Sequence, residues 1–377
     1  MRIYVVRAGD TPESVARRFS RTAAEVAAIN ALRDPTRLTP GLALAIPAEE
    51  TPAREERVVN AYAFPTLRAE EAAAQMESFS LFCPFGCAVT AGGELREIGD
   101  GPLAAAARRG GAAPLLTVTN RGEDGSFSAD RAHALFSDSA AQETLLSRLL
   151  ERLEEKEMRG VNFHFAYVYP FDREGCSAFL RRASETLHRA GRLMTTALAP
   201  QESETDRSLG AAAQDCAVYG ACSDWVTLMS YDWGYAYSAP QAVSPVNRIR
   251  RALDYAVERI PRHKLLLGCS NYAYNWTLPW REGEAAQLMS NSAAMNLAIS
   301  RAAEIRYDGA AAAPHFRYTD PAHIRHEVWF EDARSVKARL ALVEEYALGG
   351  VSYWTVNFPN PMMLAVQRDF FTAAKLG

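Results

Sequence analysis

Residues 159–167 read R-G-V-N-F-H-F-A-Y. Val161, Phe163, Phe165 and Tyr167 alternate with Asn162, His164 and Ala166, the period of two that sends successive side chains of a strand to opposite faces. The first set is apolar and fits a face packed against helices. In a (βα)8 barrel the second set points inward, and its last members reach the C-terminal mouth, where such barrels place their chemistry. The spacing therefore puts Asn162, His164 and Ala166 inside the barrel and Tyr167 on the helix-facing side, as a core residue.

Outward from this stretch, apolar strand patterns recur between helical ones at 58–63, 80–82, 115–119, 161–166, 193–199, 225–229, 265–269 and 350–354. That is the rhythm of parallel βα units. Residues 142–155 and 336–346 are the clearest amphipathic helices between them. No G-x-G-x-x-G or phosphate-loop pattern follows a strand, as an open nucleotide-binding sheet would require. The expected fold class is α/β, with a TIM barrel over residues 57–377. Its seventh-to-eighth connection is long for one crossover, so an insertion beside the mouth is expected at about 271–330.

The 377 residues are 48% hydrophobic and 23% charged, with a formal net charge of -4. These are globular values, and the length suits a barrel plus a small module. The charge makes no electrostatic case for nucleic acid. No window approaches about 18 uninterrupted apolar residues, so no membrane insertion is expected. The start M-R-I-Y-V-V-R-A-G-D is too short in apolar residues for a signal-peptide core, which predicts synthesis without a signal peptide. Cys83, Cys87, Cys176, Cys216, Cys222 and Cys269 match no paired zinc spacing. Buried free thiols are expected, with no metal and no cofactor.

Residues 1–48 form a β-α-α-β unit of their own. Ile3–Val6 is a short strand, Gly9-Asp10-Thr11 supplies a turn and a helix cap, and Val15, Ala16 and Phe19 recur at helical spacing. Thr22 caps a second helix carrying Val26, Ile29 and the following Leu32. Pro40-Gly41 then turns the chain into a last strand at 42–47. On Y-V-V-R-A-G-D-T, the asparagine of A-I-N, and L-T-P-G-L-A-L-A-I-P, the unit resembles a LysM domain. The resemblance implies binding of N-acetylglucosamine-containing glycan, chitin or peptidoglycan, in a shallow groove near Gly9, Asp10, Thr11, Ile29, Asn30 and Leu32. On its residues alone, a module this small also fits a domain that packs on its neighbour and binds nothing. A polar linker is expected at 49–56, around T-P-A-R-E-E.

The 159–167 stretch resembles the fourth-strand motif of glycoside hydrolase family 18, D-G-x-D-x-D-x-E, with most of its carboxylates removed. L-M-S-Y-D-W at 228–233 resembles that family's sixth-strand motif, and L-L-G-C-S-N-Y-A-Y-N-W-T at 266–277 its seventh strand and aromatic loop. V-W-F-E-D at 328–332, G-G-V-S-Y-W at 349–354 and N-A-Y at 60–62 complete the set. The likeness is greatest to the branch of LysM-bearing spore germination and cortex-lytic proteins. It implies a substrate-assisted reaction in which the sugar's own acetamido oxygen attacks the anomeric carbon. A glutamic acid must still protonate the leaving oxygen, and an aspartate two residues earlier must hold the acetamido group.

Carried over residue by residue, Tyr231, Asp232 and Trp354 keep the orienting and stacking parts, with Tyr62 and Tyr272 beside them as substrate contacts. Asn162, His164 and Ala166 occupy the degenerate positions, Ala166 that of the acid. Three readings follow: a glycan-binding barrel that no longer hydrolyses; an active N-acetylglucosaminidase with His164 or Asp232 as a relocated acid; or a structural spore-coat protein. The resemblance places the protein at a spore coat, cortex or cell wall.

Overall fold

The structure is a computed structural model that describes residues 1–47, 54–203 and 210–376. Of the expected linker, residues 49–53 lie outside the described residues, and Glu56 already opens the first barrel strand. Eight parallel strands form the barrel in chain order: Glu56–Ala63, Leu81–Pro84, Ala113–Thr119, Gly160–His164, Leu193–Leu198, Trp225–Leu228, Leu265–Ser270 and Gly350–Trp354. The eighth pairs with the first, Val351 beside Val59 and Ser352 beside Asn60, which closes the ring. Only a glycine fits at 350, because a Cβ there would stand 1.8 Å from the carbonyl oxygen of Val58.

The alternation read from 159–167 holds through Phe165. Val161, Phe163 and Phe165 are buried outside the barrel, and Phe163 and Phe165 pack on Phe179 of helix Arg173–Arg189. It fails at Tyr167. The fourth strand ends at His164, Tyr167 adopts a φ of +53°, and its ring is 54% exposed rather than in the core. Period-two reasoning stops where the backbone leaves the strand.

Inside the barrel the alternate set is joined by polar contacts. Tyr62 donates from its hydroxyl to Asn162 Oδ1 (3.0 Å), and Asn162 Nδ2 donates to Thr195 Oγ1 (2.8 Å). Below them Asn60 Nδ2 donates to Ser352 Oγ (2.8 Å), and Asn60 Oδ1 accepts from the Cys83 thiol (3.2 Å). These pairs satisfy groups that would otherwise be costly to bury. The six cysteines are buried and unpaired, and burial pushes the Cys176 and Cys269 thiols up to about 12, so they stay protonated.

Between the seventh and eighth strands lies a five-stranded antiparallel sheet, Ala273–Leu278, Gln287–Met289, Arg306–Asp308, Ala313–Thr319 and Arg325–Trp329, with helix Asn291–Ser300 against it. The N-terminal unit has strands Arg2–Val5 and Ala43–Ile46 and helices Pro12–Arg18 and Ala23–Ile29. Each of these helices begins with a reciprocal cap, Thr11 with Ser14 and Thr22 with Glu25. The unit is not free-standing. Val26, Leu42 and Leu44 share one apolar cluster with Ala298, Ile299, Ile305 and Phe316 of the insertion. Asn296 accepts from the backbone N–H of Arg33 (2.7 Å) and donates to the carbonyl of Ala31 (3.0 Å), while Thr39 Oγ1 donates to the carbonyl of Ala303 (2.7 Å). Among the described residues no helix is long and apolar enough to cross a membrane.

Candidate functional site

Trp354 ends the eighth strand at the barrel mouth. Its ring meets Phe85 edge-on at 4.7 Å and Tyr62 at 5.2 Å, and lies nearly parallel to Tyr231 at 6.4 Å. Those three are buried and Trp354 is half-buried, so Trp354 is the ring that meets the opening. Peptides Phe85–Gly86 and Trp354–Thr355, both cis without proline, flank this cage.

His164 stands against the same cage. Its ring is 5.6 Å from Trp354 and stacks on Phe127 at 5.8 Å, and its Nδ1 is buried without a hydrogen-bond partner. Burial, with the guanidinium of Arg121 adding to it, lowers its pKa to about 3. The imidazole is therefore neutral at physiological pH. Arg121 follows the third strand, lies over the Phe85 ring at 5.7 Å and is held by the carbonyl of Gly125. Ala166 is fixed by its backbone: its N–H donates to Asn120 Oδ1 (3.1 Å), and its carbonyl accepts from Asn120 Nδ2 (2.8 Å). A methyl group occupies a position that the chain holds firmly.

Asp232 follows the sixth strand with a φ of +63°, a conformation that costs a non-glycine residue about 1–3 kcal/mol and that recurs at functional sites. Its Oδ1 accepts from the Tyr272 hydroxyl. The surrounding protein raises its pKa and the Tyr272 bond lowers it, with a net upward direction. Because the residue remains open to water in the mouth, that upward shift is limited. Asp232, Tyr272, Tyr274, Trp354, Phe64 and Asn357 surround a cavity of about 450 Å³, and Glu71, ion-paired with Arg68, stands at its edge. A hollow of about 420 Å³ at Arg108, Arg159 and Arg192 is lined by none of these residues. A broad aromatic floor beside a carboxylate and a phenol can seat the C–H face of a sugar ring and bond its polar substituents.

Residues 124–358 match the sequence profile of Glycosyl hydrolases family 18. The chain belongs to glycosyl hydrolase family 18. Residues 4–47 match the LysM domain. The cortical fragment-lytic enzyme of Bacillus subtilis is 38% identical over 262 residues, 69% of this chain and 61% of that protein. The putative sporulation-specific glycosylase YdhD of the same organism is 32% identical over 266 residues, 70% of this chain and 62% of that protein. The chain thus spans about three fifths of the length of these curated relatives. The crystal structure of the Bacillus megaterium spore cortex-lytic enzyme SleL superposes with a TM-score of 0.93 at 28% identity, covering 100% of this chain and 99% of that one.

Within this family 18 barrel the structure brings Tyr231, Asp232, Tyr272 and Trp354 together at the mouth. Tyr62, expected as a substrate contact, is fully buried beneath Trp354 with its hydroxyl committed to Asn162, so in this structure it supports the floor. Asn162 likewise spends its amide inside the barrel.

The LysM groove also changes. Asn30 is fully buried, donating to the carbonyls of Val26 and Ala45 (both 2.8 Å) and accepting from Ala45 N–H (2.8 Å), so it clamps the last strand. Leu32 is in the shared core and Ile29 is half-buried. Gly9 and Thr11 are exposed, and Asp10 accepts from the Tyr4 hydroxyl (2.7 Å). Of the other aromatics, Trp276 is buried in the insertion, donating to the carbonyl of Ser238 (2.7 Å). Sequence reasoning missed Arg121, Phe127, Phe64 and Glu71 at the mouth. Arg121, Phe127 and Phe64 lie in loops whose course no periodicity encodes, and Glu71 in the short helix Ala69–Ala73, although Phe64 and Arg121 each follow a strand end closely enough to have been candidates.

Proposed function

We propose that the chain binds N-acetylglucosamine-containing glycan, of the peptidoglycan type found in spore cortex or cell wall, and does not hydrolyse it. The observation that carries this reading is the pairing of an intact floor, Trp354 with Tyr231, Asp232 and Tyr272, with a methyl group at Ala166. His164 makes a poor substitute acid. With a pKa of about 3, only about one molecule in ten thousand is protonated at pH 7. General acid catalysis is worth about 10²- to 10⁴-fold, so its loss leaves negligible turnover. The glycan class rests on the LysM and family 18 matches and on the relatives named as cortical fragment-lytic and spore cortex-lytic enzymes.

Calorimetry of the full chain with chitin oligomers and muropeptides, run beside a reducing-end assay, tests this. Expected are heat of binding from chitin oligomers that Trp354→Ala removes, and no released sugar from either ligand. Absence of heat at millimolar ligand would end the binding reading.

A second reading keeps turnover and is favoured by Asp232, whose pKa is raised and whose carboxyl opens to the mouth. It requires sugar release from the wild type that Asp232→Asn abolishes.

A further inference from the structure

The insertion sheet has two working faces. Tyr274 and its cross-strand partner Leu288 line the mouth cavity, whereas the next pair along, Asn275 and Gln287, lines a second cleft of about 520 Å³ on the other side. The opposing wall of that cleft is the LysM loop carrying Arg33, Asp34 and Arg37. The cleft exists only because the LysM module is docked. Gly9, Asp10 and Thr11 are not among its lining residues, so it is separate from the exposed end of the module.

Its chemistry is that of a site for an anion bearing amide groups. Among the described residues neither Arg33 nor Arg37 has an ion-pair partner within 4 Å. Asn275 is buried, donates from Nδ2 to the Tyr318 hydroxyl (3.0 Å), and leaves Oδ1 without a donor. A buried acceptor left open is costly unless something fills it. Tyr318 is half-buried and has the Arg301 guanidinium 5.7 Å from its ring centre.

We infer that this cleft is a second glycan site, shared between the LysM module and the barrel insertion, for an N-acylated sugar unit whose attached peptide carries free carboxylates. These carboxylates pair with Arg33 and Arg37, the geometry for which guanidinium is suited, and an N–H of the ligand donates to Asn275 Oδ1. The inference rests on the reading that the chain binds glycan, but it uses none of the mouth residues.

The probe is a disaccharide-tetrapeptide with free carboxylates, compared with its carboxyl-amidated form and with chitohexaose, titrated calorimetrically into the full chain. Binding of the acidic fragment should survive Trp354→Ala within about twofold. The double substitution R33Q/R37Q should weaken it about tenfold or more and leave chitohexaose unchanged. Amidation of the fragment should mimic the arginine loss. Gln287→Glu, an exposed change on the barrel wall, should also weaken the acidic fragment, by about threefold or more. Unchanged binding in R33Q/R37Q, or in Gln287→Glu, overturns the shared cleft, as does absence of binding in the wild type. Loss confined to Trp354→Ala leaves the mouth as the site and removes the cleft. Loss of the acidic fragment confined to R33Q/R37Q and Gln287→Glu, with chitohexaose binding unmoved by Trp354→Ala, keeps the cleft and removes the mouth reading.

Discussion

At residue 166, just past the fourth strand, the backbone N–H and carbonyl are both pinned by Asn120, so a side chain restored there would point where that clamp directs it. The double substitution Ala166→Glu with His164→Asp is expected to raise reducing-end release from chitotetraose by about 10²- to 10⁴-fold over wild type. An intact fold with no gain would show that more than these two groups is missing. His164 carries its own pH signature. Its folded pKa of about 3 lies below the unfolded value near 6.5, so the unfolded chain takes up the proton first. This group's stabilisation is complete above about pH 6.5 and is lost as the pH falls from there towards 3. Urea midpoints measured across that window should show the slope, and His164→Phe should remove this part of it. The sequence placed His164 inside the barrel, because period two is a geometric rule. It could not show that Phe127 and Arg121 close over the ring, because both arrive on the loop after the third strand.

The end of the fourth strand is an element held by a neighbour's side chain. Asn120, just past the third strand, bonds both backbone groups of Ala166 and also donates to the carbonyl of Ser128 (3.0 Å). Asn120→Ala leaves those groups unpaired and should cost about 1–3 kcal/mol in denaturant unfolding. A cost near zero would mean that water replaces the amide and that the clamp is not structural. At this scale the sequence was legible in its regular parts. All eight barrel strands fall where alternation put them, because each is buried between helices and a filled interior. Ends were less so: 161–166 was expected as strand, yet pairing stops at His164 and Tyr167 turns outward. Pairing ends where the neighbouring third strand ends at Thr119, a long-range event.

Across the whole molecule, the LysM module and the barrel insertion are one apolar cluster. Unfolding should therefore be a single cooperative transition. Leu44→Ala, in a fully buried position of that cluster, should lower it by about 2–5 kcal/mol for the entire chain. Two calorimetric transitions, with the barrel's unmoved by Leu44→Ala, would contradict the shared core. Nothing local in residues 1–48 announced this docking. The module's pattern is that of an independent domain, and its partners Ala298, Ile299 and Ile305 lie more than two hundred residues away.

That docking has a mechanical meaning. A module on a loose tether samples many separations and tolerates any spacing between the points it grips. Here Asn296, Thr39 and the cluster around Leu44 hold the module against the insertion wall, so the distance from the LysM loop to the Trp354 floor is set by side-chain packing. Such a molecule works as a fixed-span caliper: a polymer that engages both faces must present its matching units at that one spacing, and strands of any other repeat meet one face at a time.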